Sequence, residues 1–279
     1  MNIFEIIKCP IAYIINMLDY IILGLPRIES VQLSISNNCN YNCDICFDRD
    51  FHSKDENIKN KFAKKFFITL PGKENKCRNL ALNDFYVIMK NLEKSGVKKI
   101  NLIGHGEPFL NPDIFEMLKF LKKKNYFVRI ASNFSKVTDI ELKVLTEIYP
   151  DELQISINHF TNAGYKDITG TNVELQEIID KILELSRCIK LQKIQCRLII
   201  SSVITKQNIG YYKKFIRQFE KYYDTIFFEL NALAESEGSR YTGILKDDNL
   251  ILKDIIQYLN DSKINYSISK WLLHFESNR

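Results

Sequence analysis

The chain has 279 residues, of which 46% are hydrophobic and 26% are charged. This balance is typical of a folded globular protein and excludes a disordered or fibrous chain. Lys and Arg total 39 against 34 Asp and Glu, and the resulting formal charge of +5 is too small to indicate a nucleic-acid-binding protein.

The first part of the chain, residues 1–30, is apolar and is predicted to form a helical segment. Asn16 and Asp19 interrupt its most apolar stretch, 11–25, which is also short for a bilayer span. The segment lacks the basic start and the small-residue cleavage site of a secretory signal. We therefore expect a cytoplasmic protein without a transmembrane span, in which the seven cysteines serve as metal or catalytic ligands rather than as disulfides.

Six apolar runs rich in β-branched residues alternate with helical patterns and are predicted to be strands. Strand followed by helix, repeated along the chain, predicts one α/β domain with a parallel sheet, either open or curved like a barrel. The predicted strands lie at 31–36, 99–103, 127–131, 153–157, 194–200 and 226–230.

Two of the predicted helices carry recognisable start signals. Asn111 before Pro112 is predicted to cap one helix, and Thr138 with Glu141 forms the pattern of a capping box. Further helices are predicted near 83–95, 173–188, 208–221 and 247–260.

Composition and the alternation of predicted strands and helices divide the chain into three parts. The helical segment 1–30 precedes an α/β core, 31–260, and a short C-terminal appendage, 261–279. Within the core, residues 48–80 form a Lys- and Asn-rich insertion that exceeds the usual length of a βα loop. Such an insertion is either a lid that contacts substrate or a surface excursion without function.

Three cysteines follow the first predicted strand, at positions 39, 43 and 46. Thiolates are soft ligands that favour iron–sulfur clusters, copper(I) or zinc. Three thiolates on a cubane cluster leave one iron open to bind a substrate. A structural zinc site is the alternative, and it would need a fourth ligand such as His52 or Cys77.

The spacing of Cys39, Cys43 and Cys46 resembles the C-x-x-x-C-x-x-C signature of the radical S-adenosylmethionine (SAM) superfamily. The resemblance implies a partial parallel (β/α)6 barrel and a 4Fe-4S cluster held by these three thiolates, with SAM on the open iron. It also implies that one electron, from a reductant such as flavodoxin or ferredoxin, splits SAM into methionine and a 5′-deoxyadenosyl radical that abstracts a substrate hydrogen.

A glycine-containing turn follows the second predicted strand. Gly104, His105, Gly106 and Glu107 precede Pro108 and resemble the G-G-E-P element of the same family, with His105 in place of one glycine. Glycine suits this position physically because it allows a backbone to approach a ligand closely. The resemblance implies that this turn holds the amino group of SAM.

Polar residues also end the third and fourth predicted strands. Ser132 and Asn133 resemble a T-N-G sequence of the family, with Phe134 where the glycine usually stands. Ser156 resembles the serine of an S-x-D element in which Asn158 replaces the acid. The resemblance implies that Ser132, Asn133 and Ser156 contact the nucleoside and carboxylate of SAM.

The stretch from Tyr165 to Gly170 resembles a Y-x-x-I-R-G element of the branch that often carries C-terminal auxiliary clusters. Thr169 stands where that branch has an arginine, and Arg197 is either its substitute or a structural arginine. No cysteine follows Cys196, so we do not expect an auxiliary cluster of that kind unless the natural chain is longer or a partner supplies ligands.

These elements fall at the carboxyl ends of successive predicted strands, where the sites of α/β proteins assemble. We therefore predict a radical SAM enzyme acting on a peptide or a small natural product, and the sequence does not identify a catalytic residue on the substrate side. The alternatives are a zinc-stabilised module that binds RNA or another acidic partner, and a cluster protein that does not cleave SAM.

Overall fold

The computed structural model describes residues 28–46, 79–233, 241–243, 249–269 and 272. Its centre is a sheet of seven parallel strands. The strands are β1 (Ser30–Gln32), β2 (Lys99–Leu102), β3 (Phe127–Ser132), β4 (Glu152–Ser156), β5 (Arg197–Ile204), β6 (Ile226–Ala232) and β7 (Asn265–Ile268).

Helices connect the successive strands. They are α1 (Leu82–Lys94), α2 (Ile114–Lys123), α3 (Asp139–Glu147), α4 (Asn162–Thr169), α5 (Leu175–Gln192), α6 (Ile209–Ile216) and α7 (Asn249–Asp261). Short 3-10 helices cover Pro108–Leu110 and Arg217–Tyr222. The short helix α4 lies in a segment for which the sequence analysis predicted no helix.

Strand order in the sheet follows chain order, and every neighbouring pair is parallel. Because such crossovers are right-handed almost without exception, the connecting helices lie on one side of the sheet. The sheet is not closed into a full barrel, since β1 and β7 form its two edges. The predicted partial parallel barrel is thus confirmed, with a seventh strand inside the segment that we had assigned to the C-terminal appendage.

The two faces of the sheet differ in polarity, as β4 illustrates. Leu153 and Ile155 are buried, whereas Glu152, Gln154 and Ser156 on the opposite face are only partly buried. The same alternation recurs in β2, β3 and β6. The apolar face therefore forms the core with the helices, and the other, which we call the inner face, carries polar side chains.

One predicted cap is confirmed, and the helix predicted to follow the other begins later than expected. Thr138 caps α3 in a complete capping box with Glu141. Helix α2, however, begins at Ile114 after Asp113 rather than at Asn111 and Pro112. The buried side chain of Asn111 accepts from the backbone N–H of Asp113 at 2.9 Å, as a capping residue does. Its amide also donates to the carbonyl oxygens of residues 35 and 80, at 2.7 and 3.0 Å, so it ties neighbouring loops together.

Several predictions fall outside the described residues. These are the N-terminal segment 1–30 except its last three residues, the insertion 48–80 except its last two, and most of 270–279. None of the helices in the described part of the chain has the length and apolar character that a membrane crossing requires.

Candidate active site

The cysteine loop, residues 33–46, follows β1 and carries all three predicted cluster ligands. Cys39 is exposed, whereas Cys43 and Cys46 are partly buried, and all three are free thiols. The backbone N–H of Cys46 donates to the carbonyl of Cys43 at 3.1 Å, which closes a turn between the second and third thiols. The loop is held from two sides by other parts of the chain.

The turn after β2 holds the loop from one side. The backbone N–H of Glu107 donates to the carbonyl of Asn38 at 2.7 Å. Gly106 lies so close to the cysteine loop that an added Cβ would clash with the carbonyl oxygens of Asn38 and Ser36. The distance from this Cβ to the Ser36 oxygen would be 2.5 Å. Glycine is therefore required at position 106 by close approach of two backbones rather than by its φ angle.

Gly104 and His105 contact the start of the cysteine loop. An added Cβ at Gly104 would clash with the side chain of Ser34. The backbone N–H of His105 donates to the Ser34 hydroxyl at 3.3 Å. The four residues predicted to hold the amino group of SAM thus pack directly against the predicted cluster loop, and their contact with SAM stays a prediction.

The side chain of Glu107 is buried and joins the end of β3 to the turn after β2. Its carboxylate accepts hydrogen bonds from the Ser132 hydroxyl and the Asn133 backbone N–H, both at 2.7 Å. A third bond comes from the Phe109 N–H at 3.1 Å. Burial raises the pKa of Glu107 to about 6 in spite of these donors.

Ser132 and Asn133, predicted SAM contacts, have well-defined contacts within the protein. Ser132 is buried, and its hydroxyl donates to Glu107 while accepting from the backbone N–H of Phe134 at 2.7 Å. The Asn133 side-chain amide donates to Asn40 at 3.0 Å and lies 3.9 Å from the sulfur of Cys39. Asn133 therefore lies beside Cys39, and its contact with SAM stays a prediction.

Phe134 adopts φ +62°, in the left-handed region that glycine enters without strain. The glycine of the T-N-G element that this stretch resembles would adopt the same angle without strain. In this chain the Phe134 ring is fully buried and lies edge-on to Phe109, with 6.0 Å between ring centroids. Burial of a large aromatic side chain offsets the conformational cost of a positive φ.

The C-terminus of α4 holds the cysteine loop from its other side. The last carbonyls of a helix lack partners within the helix. Here the carbonyls of Ile168 and Thr169 accept from the backbone N–H groups of Asp44 and Asn42, both at 2.9 Å. Gly170 ends the helix in the left-handed conformation, φ +62°.

Two tyrosines reinforce this contact. The hydroxyls of Tyr41, in the cysteine loop, and Tyr165, in α4, are 3.1 Å apart, and their rings pack edge-on. The Thr169 hydroxyl donates to the carbonyl of Tyr165 at 2.7 Å. Because it points back along its own helix, the Thr169 side chain does not replace the arginine that the related branch has here.

Arg197 does not replace that arginine either. The sequence analysis began the fifth strand at residue 194, whereas β5 begins at Arg197 itself. Arg197 therefore lies at the amino end of the sheet, opposite the cysteine loop, where it stacks on Phe227 at 4.0 Å and pairs with Glu152 at 3.5 Å. Its suggested role as a partner for SAM is wrong for this reason.

The end of β4 lies in register with β5. Ser156, a predicted SAM contact, pairs with Ser201 on the neighbouring strand. Asn158, which stands where the related element has an acid, accepts from the backbone N–H of Val203 at 3.0 Å. Asn158 thus joins the ends of β4 and β5, and a contact between Ser156 and SAM remains predicted.

A polar group that was not predicted from the sequence lies on the inner face of β5 and β6 and is formed by Ser201, Glu229 and Asn231. The Glu229 carboxylate accepts from Ser201 at 2.9 Å, and Asn231 donates to Ser201 at 2.9 Å. The signal for it was the alternation within Ile226–Ala232, where residues 227, 229 and 231 share one face.

The donor set of the cysteine loop fits an iron–sulfur cluster. Although Cys39 is exposed, the protein atoms around its sulfur displace water and thereby raise the pKa of its thiol. Burial together with the charges of the other two thiols raises the pKa of Cys43. Ligation to a cation reverses this effect because it stabilises the thiolate. In the part of the chain that the structure describes, no three His, Cys, Asp or Glu side chains converge as a site for a single metal ion.

Comparison with known proteins identifies the family. The family model of the radical SAM superfamily matches residues 33–219. A probable GTP 3′,8-cyclase from Methanococcus aeolicus is 28% identical over 162 residues, which cover 57% of this chain and 47% of that protein. This chain therefore spans about half the length of that relative.

Solved structures share the fold. SuiB from Streptococcus suis, bound to SAM, has a TM-score of 0.64 at 13% identity, covering 91% of this chain and 53% of SuiB. SuiB bound to its precursor peptide SuiA has a TM-score of 0.63 at 14% identity, covering 96% of this chain and 54% of SuiB.

The chain belongs to the radical SAM superfamily, because the family model covers well over half of it. Our predictions of a radical SAM enzyme, and of a 4Fe-4S cluster and SAM as its cofactors, are confirmed at the level of the family. This membership replaces the zinc-stabilised binding module as the interpretation of the cysteine motif.

Proposed function

We propose that this protein binds a 4Fe-4S cluster through Cys39, Cys43 and Cys46 and cleaves SAM reductively to abstract hydrogen from a substrate. The observation that supports it best is the arrangement of the cysteine loop. Three soft donors lie on one loop, held between the turn after β2 and the end of α4 by hydrogen bonds of 2.7 to 2.9 Å. Thiolates are the ligands that such clusters take.

When bound, the cluster and SAM together supply a 5′-deoxyadenosyl radical. The protein's own part is to fix the positions of the reacting groups and to limit the access of water. In our proposal the backbone of residues 104–107 seats the methionine end of SAM. Asn133 and Ser156, at the ends of β3 and β4, hold its nucleoside and carboxylate, and the buried Ser132 positions Asn133 through their shared partner Glu107.

The substrate in this proposal is a peptide or a small natural product that lies on the inner face of the sheet. Support for a peptide comes from SuiB, which has the same fold and has been solved with its precursor peptide SuiA. The polar inner face of β4 to β6 offers hydrogen-bonding groups to such a substrate. A flavodoxin or ferredoxin is the proposed reductant.

The experiment that tests the function is anaerobic. The protein is reconstituted with iron and sulfide, reduced with dithionite and mixed with SAM, and 5′-deoxyadenosine is measured by chromatography. We expect its formation, together with an electron paramagnetic resonance signal that changes when SAM is added. A protein that assembles no cluster and binds zinc instead would refute the proposal.

Replacing Ser156 with alanine is expected to weaken SAM binding by about three- to tenfold, the worth of one hydrogen bond between neutral groups. Iron content is expected to stay at the wild-type level because the backbone hydrogen bonds that hold the loop involve Glu107, Ile168 and Thr169 and not Ser156. The measurement is the SAM dissociation constant of the reconstituted protein. Ser95→Ala, on the exposed end of α1, is the control, and an unchanged constant for Ser156→Ala would remove this residue from the site.

A further inference from the structure

Three polar residues form a row across the inner face of the sheet. Ser156 on β4 is in register with Ser201 on β5, which is in register with Glu229 on β6. Residues in register on parallel strands point to the same face. Since neighbouring strands lie about 4.8 Å apart, the backbone of Glu229 is about 10 Å from that of Ser156.

The hydrogen bonds to Glu229 are concentrated on one of its two carboxylate oxygens. Ser201 donates to Oε2 at 2.9 Å, and Asn231 approaches the same oxygen at 3.5 Å. Asn231 also donates to the Ser201 hydroxyl at 2.9 Å, which fixes that hydroxyl toward the carboxylate. No described residue donates to Oε1, so the second oxygen can accept a hydrogen bond from a ligand.

Glu229 also differs from the other glutamate on this face in its charge environment. Glu152, at the amino end of β4, pairs with Arg129 at 3.6 Å and with Arg197 at 3.5 Å. Glu229 is likewise partly buried, yet no Lys or Arg of the described ranges forms an ion pair with it. A cation bound at Glu229 would supply the counter-charge that Glu152 receives from two arginines.

We propose that Glu229, oriented by Ser201 and Asn231, binds a cationic group of the substrate, the ammonium or guanidinium of a lysine or arginine side chain in a peptide. The inference rests on the proposed function, because it places substrate beside the SAM that Ser156 is proposed to contact. A charge-assisted hydrogen bond from the cation would occupy Oε1, the oxygen to which no described residue donates. The site would therefore select a substrate with a basic side chain over a neutral one.

The first experiment uses the wild-type protein with its cluster and SAM, under anaerobic conditions. The probes are two five-residue peptides with blocked ends, in which two glycines on each side flank either lysine or acetyl-lysine. Acetylation keeps the shape and removes the charge. Calorimetric titration is expected to show about tenfold tighter binding of the lysine peptide, and equal binding, or binding of neither peptide, would overturn the proposal.

The second experiment repeats both titrations on Glu229→Gln. This nearly isosteric change is expected to reduce the preference for lysine to about twofold or less, because the ion–ion attraction is lost. Glu116→Gln, which removes an exposed carboxylate on α2, changes the net charge equally and is expected to retain the preference. A preference that persists in Glu229→Gln would overturn the assignment.

The two proposals fail in different ways. Wild-type protein that forms 5′-deoxyadenosine but does not distinguish the peptides would contradict the role of Glu229 and leave the proposed function standing. Wild-type protein that assembles no cluster would contradict the proposed function itself.

Discussion

Replacing Cys43 with alanine is expected to abolish the iron–sulfur cluster and SAM cleavage together. Cys43 is the central thiol of the motif, and its neighbours in the loop are fixed by the bonds from residues 42 and 44 to the end of α4. Two remaining thiolates cannot hold three corners of a cubane cluster. Iron and sulfide content per chain and 5′-deoxyadenosine formation are the measurements.

Cys188→Ala is the matched control, because Cys188 lies on α5, outside the cysteine loop, with its sulfur 3.6 Å from Glu184. We expect that variant to assemble a cluster at the wild-type level. The thermal unfolding temperatures of the two variants are compared without cluster, since both substitutions remove one sulfur. Similar temperatures would show that Cys43→Ala folds and has lost only a cluster ligand. Retention of cluster and cleavage by Cys43→Ala would contradict the ligand assignment.

The regular alternation of strand and helix made most of the fold predictable from sequence. Capping by Thr138 is a local signal, decided within four residues, and the structure confirms it. Strand β7 has the short, polar sequence from Asn265 to Ile268, and its pairing with β6 depends on contacts distant in sequence. Local patterns carry no information of that kind.

The candidate site was predictable in part. The cysteine spacing and the polar residues at strand ends are visible in sequence, because parallel strands bring their carboxyl ends to one edge. The support from α4 was not visible, since the Tyr41 and Tyr165 hydroxyls meet across 124 residues of chain. The second role of Asn111 was hidden for a similar reason, since its amide donates to carbonyls that are distant in sequence while its oxygen accepts from the Asp113 N–H.

Arg197 and Glu229 show that assigning a residue to a site depends on where a strand begins and on how it aligns with its neighbour. An error of three residues at the start of β5 moved Arg197 from the amino end toward the carboxyl end of the sheet. Glu229 lies within a largely apolar strand, and its partner Ser201 is identified by register between β5 and β6. Register is set by the packing of whole strands, so it cannot be read from one segment.

Gly106→Ala is expected to destabilise the protein by about 1–3 kcal/mol, the usual cost of forcing an extra group into a packed site. A Cβ at this position clashes with carbonyl oxygens of Ser36 and Asn38, which are backbone atoms and cannot rotate away. The 2.7 Å bond from the Glu107 N–H to Asn38 would lengthen as the two loops separate. Because the cysteine loop depends on this contact, we also expect reduced iron content.

Gly210→Ala provides the matched control for this prediction. An added Cβ at Gly210, near the start of α6, meets nothing within 4 Å, and alanine favours a helix over glycine by about 1 kcal/mol. Gly210→Ala should therefore unfold at the wild-type temperature or slightly above it and take up iron normally. If thermal unfolding and iron analysis gave the same values for both variants, the two loops would be free to move apart, and Gly106 would not be needed to hold the cysteine loop in place.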